Sequence, residues 1–129
     1  SGQYFSMARQ ITELTSQAKQ ELVVPIIGRE DTFTLQLIYA DWLNGWLYSI
    51  TYGNFIIRNS RLVLGINLLR QYKNIIPFGL ACTSPLGTQP PTLQSDFVRT
   101  DVYPDFPVIQ IFSLSATEVL NIEKNFYNG

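Results

Sequence analysis

Residues 33–69 read FTLQLIYADWLNGWLYSITYGNFIIRNSRLVLGINLL, and the spacing of their apolar side chains decides the fold class. Phe33, Leu35, Leu37 and Tyr39 alternate with Thr34, Gln36 and Ile38, the two-residue repeat of a half-buried strand. After Asp41-Trp42-Leu43-Asn44-Gly45, the residues Trp46, Tyr48, Ile50 and Tyr52 fall on one face, with Leu47, Ser49 and Thr51 on the other. Asn44-Gly45 supplies two residues tolerant of positive φ, which a tight reversal needs. Gly53-Asn54 repeats that punctuation ahead of Phe55-Ile56-Ile57. β-branched and aromatic residues crowd the run, and the apolar positions do not recur at three or four. These residues form a β-meander.

The surrounding chain bounds what the meander belongs to. At 129 residues it makes one domain, long enough to bury a core. Charged residues are 15% of the chain, against about a quarter in an average domain. A weakly charged, aromatic-rich surface suits a protein that works packed against others. The net charge of −1 gives no electrostatic footprint for nucleic acid or an anionic membrane. No apolar run reaches the length of a membrane-spanning helix, and the N-terminus has no basic-then-apolar signal pattern. A single cysteine, Cys82, rules out an intrachain disulfide and fits synthesis in a reducing cytosol.

Outward from the meander, residues 1–6 read as a remnant ahead of a start at Met7, and residues 7–20 as an N-terminal arm or a short helix, the extended arm being favoured. Glu21–Ile27 reads as a strand, placed at a sheet edge or bulged by Pro25, which has no amide to donate. Gly65 breaks the run Leu62–Leu69 with a bulge or bend, and Leu68–Lys73 fits one helical turn. Phe78–Thr83 and Val108–Leu114 read as strands. Ser84–Pro91 is a loop with three prolines, and Asp96–Val102 a short strand or turn. Ser115, with Glu118 three residues on, fits the capping box of a C-terminal helix. The expected fold is mainly β: a single small twisted antiparallel β-barrel or sandwich over 21–115, followed by a C-terminal extension over 116–129.

The chemistry of catalysis is thin. The chain has no histidine, the commonest general base and metal ligand near neutral pH. Cys82 therefore lacks the imidazole that activates a thiol and reads as a small core residue on a strand. Gly53, Gly65 and Gly79 are isolated, with no phosphate-binding or dinucleotide pattern around them. Most carboxylates, Asp41, Asp101 and Asp105 among them, sit beside turn residues. No catalytic, cofactor-binding or metal-ligating residue is assigned, and no cofactor is implied. The aromatics Trp42, Trp46, Tyr48, Tyr52 and Phe55 read as core, except Trp42, which lies in a turn and is expected at the surface. A small carbohydrate- or ligand-binding domain using Trp42 with Tyr39 or Tyr103 is the alternative reading.

The series Phe33-x-Leu35-x-Leu37-x-Tyr39, Gly45-Trp46-x-Tyr48-x-Ile50, Gly53, and Arg61-Leu62-Val63-x-Gly65-x-Asn67-Leu68-Leu69-x-x-Tyr72 resembles the baseplate plug family of contractile-tailed phages. Pro77-Phe78-Gly79-Leu80 is similar to that family's step into its next strand. The resemblance covers Leu22 to Thr83 and extends to Val108–Leu114. The long proline-rich segment 84–107 and the extension 116–129 depart from the pattern. The resemblance implies a non-enzymatic, oligomeric component of the virion tail, made in the host bacterial cytoplasm. Its place would be the central hub at the distal end of the tail tube, with other hub and tail-tube proteins as partners. It also implies that free strand edges such as Glu21–Ile27 are completed by a partner.

Overall fold

The structure is a computed structural model that describes residues 8–85, 90–100 and 106–127. The remnant reading of residues 1–6, and Asp101, Tyr103 and Asp105, lie outside the described residues. Among the described residues seven strands run in chain order: β1 Ala8–Gln10, β2 Lys19–Pro25, β3 Thr32–Ala40, β4 Gly45–Tyr52, β5 Phe55–Arg61, β6 Phe78–Thr83 and β7 Gln110–Ser115. One helix follows, α1 Ala116–Ile122, and continues into a π-helical turn, Glu123–Tyr127. The strands make two antiparallel sheets, ordered β2-β3-β4-β5 and β1-β7-β6. They are not joined into a closed barrel, so the fold is a sandwich.

The meander alternation carries straight into this geometry. Phe33, Leu35 and Leu37 of β3 pair with Val24, Leu22 and Gln20 of β2, and Leu35 and Leu37 face Ile50 and Tyr48 of β4. Directly opposed residues share a face, so one side of the sheet is apolar and the other carries Thr34, Gln36, Ser49 and Thr51. The apolar side packs on the second sheet, where the Phe33 and Phe78 rings stack with centroids 4.2 Å apart and Tyr52 meets Phe78 edge-on at 5.4 Å. Trp46, Ile50, Leu80, Cys82, Ile111 and Val108 are fully buried between the layers.

The turns differ from expectation in an instructive way. Asp41–Leu43 form a 3-10 turn closed by Asn44 alone in the left-handed region (φ 51). Gly45 is already in β4, and its missing side chain serves another end. A Cβ there would lie 3.3 Å from Arg61 Nη2, so the guanidinium lies against the glycine while donating to Leu43 O at 3.3 Å. β5 runs beyond Ile57 to Arg61 because one extra residue is absorbed at a bulge: Tyr48 pairs with Ser60 and Ile50 with Ile57. Asn59 takes φ 50 there, and its N–H donates to Ser49 Oγ at 2.9 Å.

Leu62–Leu69 is not a strand. It crosses from one sheet to the other and meets β6 twice, at an isolated bridge where Gly65 and Cys82 exchange backbone hydrogen bonds of 2.9 and 3.0 Å, and where Leu68 N donates to Leu80 O at 2.7 Å. Asn67 fixes the crossing, its buried Oδ1 accepting from Leu69 N at 3.1 Å and Leu80 N at 3.2 Å. The helical turn that follows is the 3-10 segment Arg70–Tyr72. Gly79 is pressed between this crossing and the helix: a Cβ would stand 2.7 Å from Asn67 Oδ1 and 2.9 Å from Val119 Cγ2. Gly79→Ala is expected to lower stability by about 1–3 kcal/mol in chemical denaturation, the range for overpacking a filled site.

Val108 and Ile109, expected in the last strand, precede it. Their amides donate to Arg99 O and Asp96 O rather than to β6, so the ladder begins at Gln110. α1 forms where the Ser115–Glu118 pattern placed it, with Ser115 Oγ accepting from Glu118 N at 3.0 Å. Its Val119 and Ile122 bury against Ala81 and Leu114 on the outer face of the three-stranded sheet. Arg70 ties the end of the helix down, donating to Glu123 Oε2 at 2.7 Å and Oε1 at 3.2 Å and lying 3.6 Å over the Tyr127 ring.

The β2–β3 turn is held by a surface triad. Arg29 donates to both oxygens of Asp31 at 2.8 and 2.9 Å, and the Tyr52 hydroxyl donates to Asp31 Oδ2 at 2.6 Å. The Arg29 and Tyr52 hydrogen bonds hold the Asp31 carboxyl well below the usual carboxylate range. A depressed carboxylate stabilises the fold above its unfolded pKa and loses that effect as pH falls through the folded value. The stability difference between the natural chain and Asp31→Asn should therefore be level at neutral pH and shrink below about pH 4. Urea titrations across that window measure it.

Candidate functional site

Among the described residues no group of three or more His, Cys, Asp or Glu side chains converges to hold a metal ion, and no helix is long and apolar enough to cross a membrane. Cys82 is fully buried in β6, where burial first and the Asp96 charge second push its thiol up to about 12. A thiol this protonated and enclosed is a poor nucleophile. A thiol reagent at pH 8 should leave Cys82 unmodified in the native protein and label it fully in denaturant; rapid native labelling would contradict the packing.

The aromatics at the β3–β4 end of the sandwich divide into two sets. Tyr39 and Trp46 face inward and hold the segment Thr92–Phe97. The Tyr39 hydroxyl donates to Thr92 O at 2.7 Å and Trp46 Nε1 to Leu93 O at 3.1 Å. The Trp46 ring lies 4.8 Å from Phe97 and 5.3 Å from Tyr39. Buried Asp96 closes this turn by accepting from Leu93 N at 2.8 Å, with Arg99 at 3.6 Å, while burial pushes its carboxyl up. Gln94 Nε2 donates to Ser16 O at 2.7 Å, fastening the same turn to the N-terminal segment. Trp42 stands apart, 77% exposed on its 3-10 turn. Tyr39 and Trp42 thus do not form one stacking surface, and Tyr39 has its hydroxyl engaged.

Apart from the polar outer face of the four-stranded sheet, two kinds of outward surface bear on contacts: apolar patches and strand edges. Beside α1, Ile66, Phe112 and Phe126 line an open groove with the outer face of the three-stranded sheet, and Glu118 is its one charged residue. On the helix's other side, Leu120 and Ile75 are both about two-thirds exposed. β2 and β5 are the two edges of the four-stranded sheet. Pro25 fits there because an edge strand tolerates a residue without a donor. The sequence reading anticipated exposed Trp42 and the edge at β2. It missed the anchoring of Thr92–Phe97 by Tyr39 and Trp46 and the Arg70–Glu123 tie, which join residues about fifty positions apart with no local signal. Asn67 was visible as part of the quoted motif, but its bridging role was not.

Exposed apolar side chains and the two sheet edges are surface that a neighbouring protein could cover. Residues 9–103 match the family of the cyanophage baseplate Pam3 plug gp18, and the chain belongs to that family. The family is a structural component of the phage baseplate. The matched span includes β2 to β6 and the Thr92–Phe97 turn, whereas β7 and α1 lie beyond it. No curated protein matches the chain.

Proposed function

We propose that this protein is the plug at the central hub of a contractile-tail baseplate, seated at the distal end of the tail tube and contacting hub and tail-tube proteins. It acts by packing rather than by catalysis, in more than one copy, within a virion whose parts are made in the host bacterial cytoplasm. The family match over residues 9–103 carries the reading. The apolar rim around α1, the exposed Trp42 and the open sheet edges support it, since each offers area that an assembly would cover.

Two observations test it. The gene should lie among tail-tube, tape-measure and hub genes; a place inside a metabolic operon would remove the main support. Deleting it should yield particles with defective baseplates and no infectivity in negative-stain micrographs and plaque assays. Normal infectious particles would refute the proposal.

A further inference from the structure

We infer that the two edges of the four-stranded sheet, which carry no further strand among the described residues, pair with each other between copies of this chain, β2 of one against β5 of the next. The inference does not depend on where in a virion the protein sits. Its first ground is direction. The sheet has four strands, each antiparallel to its neighbour, so β2 and β5 run in opposite senses. A second copy set edge to edge in the same orientation therefore brings its β5 antiparallel to β2.

The second ground is phase. Tyr39 N donates to Ala18 O and Ile26 N to Asp31 O, which marks the even-numbered residues of β2 as the ones bonded to β3. The backbone groups of Glu21 and Val23 then point away from the sheet. In β5 the two-residue turn closes on the pair Tyr52–Phe55, so by the same alternation Ile56 points outward, as do residues in step with it before the bulge. Outward groups on both edges belong to residues whose side chains lie on the polar outer face, as the continuation of a single sheet requires.

The third ground is what meets. Antiparallel alignment sets Glu21 against Arg58, Leu22 against Ile57, Val23 against Ile56 and Val24 against Phe55. Val23 and Ile56, 67% and 48% exposed, would cover one another, and half-buried Leu22 and Phe55 would be sealed on the core side. Glu21 and Arg58 are exposed and opposite in charge. The register is bounded at both ends: Pro25 has no N–H to donate, and the Asn59 bulge ends the regular ladder beyond Arg58. A slip of two residues would set Val23 against Arg58 or Asn54. Devices that blunt an edge against indiscriminate pairing here leave one short window whose two sides complement each other. The contact is head to tail, so repetition gives a closed ring or a filament.

Disulfide trapping tests the pairing on the purified full chain. Opposed residues of an antiparallel hydrogen-bonded pair have Cα atoms about 5.5 Å apart, within disulfide reach. Mixing Val23→Cys with Ile56→Cys chains under mild oxidation should give a mixed dimer in excess of either like pair, and the double variant a ladder of covalent multimers. Both sites are exposed, and native Cys82 is enclosed, so folding should be unaffected, which circular dichroism of each variant checks. Glu21→Arg or Arg58→Glu alone should lower the trapped yield about fivefold, the effect of an opposed like-charge pair, and both reversals together should restore it. Equal trapping of like and unlike pairs, or yields indifferent to the charge reversals, would overturn the inference.

Discussion

Ile50→Asp is expected to unfold the isolated chain. Ile50 is fully buried in β4, paired with Leu35 on one side and Ile57 on the other, with core beneath it. A carboxylate there has no cation to meet, and loses its water without compensation. The expected cost is at least about 4 kcal/mol, the scale reserved for uncompensated buried charge. That is a large fraction of the roughly 5–15 kcal/mol that holds a domain together. Circular dichroism should show loss of the cooperative thermal transition. Tyr48→Asp, on the same buried face, should behave likewise. An unchanged melting temperature in either variant would mean that the wrong face of the meander had been assigned to the core.

Trp46→Ala should be nearly as damaging, for a different reason. The ring is fully buried, touches Tyr39 and Phe97, and donates to Leu93 O. Truncation leaves a cavity and an unanswered carbonyl, with an expected loss of about 3–5 kcal/mol. At roughly 4 °C per kcal/mol, the melting temperature should fall by about 12–20 °C. The damage should spread to the Thr92–Phe97 turn, so amide exchange at Asp96 and Val98 should accelerate more than in the β2–β3 hairpin. Trp46→Phe restores most of the volume without the donor and should recover the larger part of the stability, separating packing from the hydrogen bond.

The parts of the fold that were legible are those whose information is local. Period-two alternation placed Phe33–Tyr39 and Trp46–Tyr52 on strands with the correct faces buried, because the pleat converts parity directly into sidedness. Ser115 with Glu118 announced the helix because a cap is satisfied within one turn. The 62–69 crossing was legible only as an interruption at Gly65. Its course depends on Asn67 bonding to Leu80 N, thirteen residues away. The late start of β7 was hidden for the same reason, since Val108 and Ile109 satisfy their amides on the 95–99 turn. Sequence also left barrel and sandwich open, and the choice rests on which edges meet in space. Of the candidate site, Trp42 was visible because it sits on a turn, where an indole has no core to enter. Tyr39, by contrast, was offered as a ligand-binding partner for Trp42, and its hydroxyl is engaged by Thr92 O from a segment that carries no periodic signal.

A cryo-electron microscopy map of the intact tail, with mass spectrometry of the same purified particles, would locate the protein or show it missing. The proposal predicts peptides of this chain in the tails and density for its two-sheet sandwich on the axis at the distal end of the tail tube. Intact, infectious tails that lack the chain, or whose tube end is filled by other subunits alone, would contradict it.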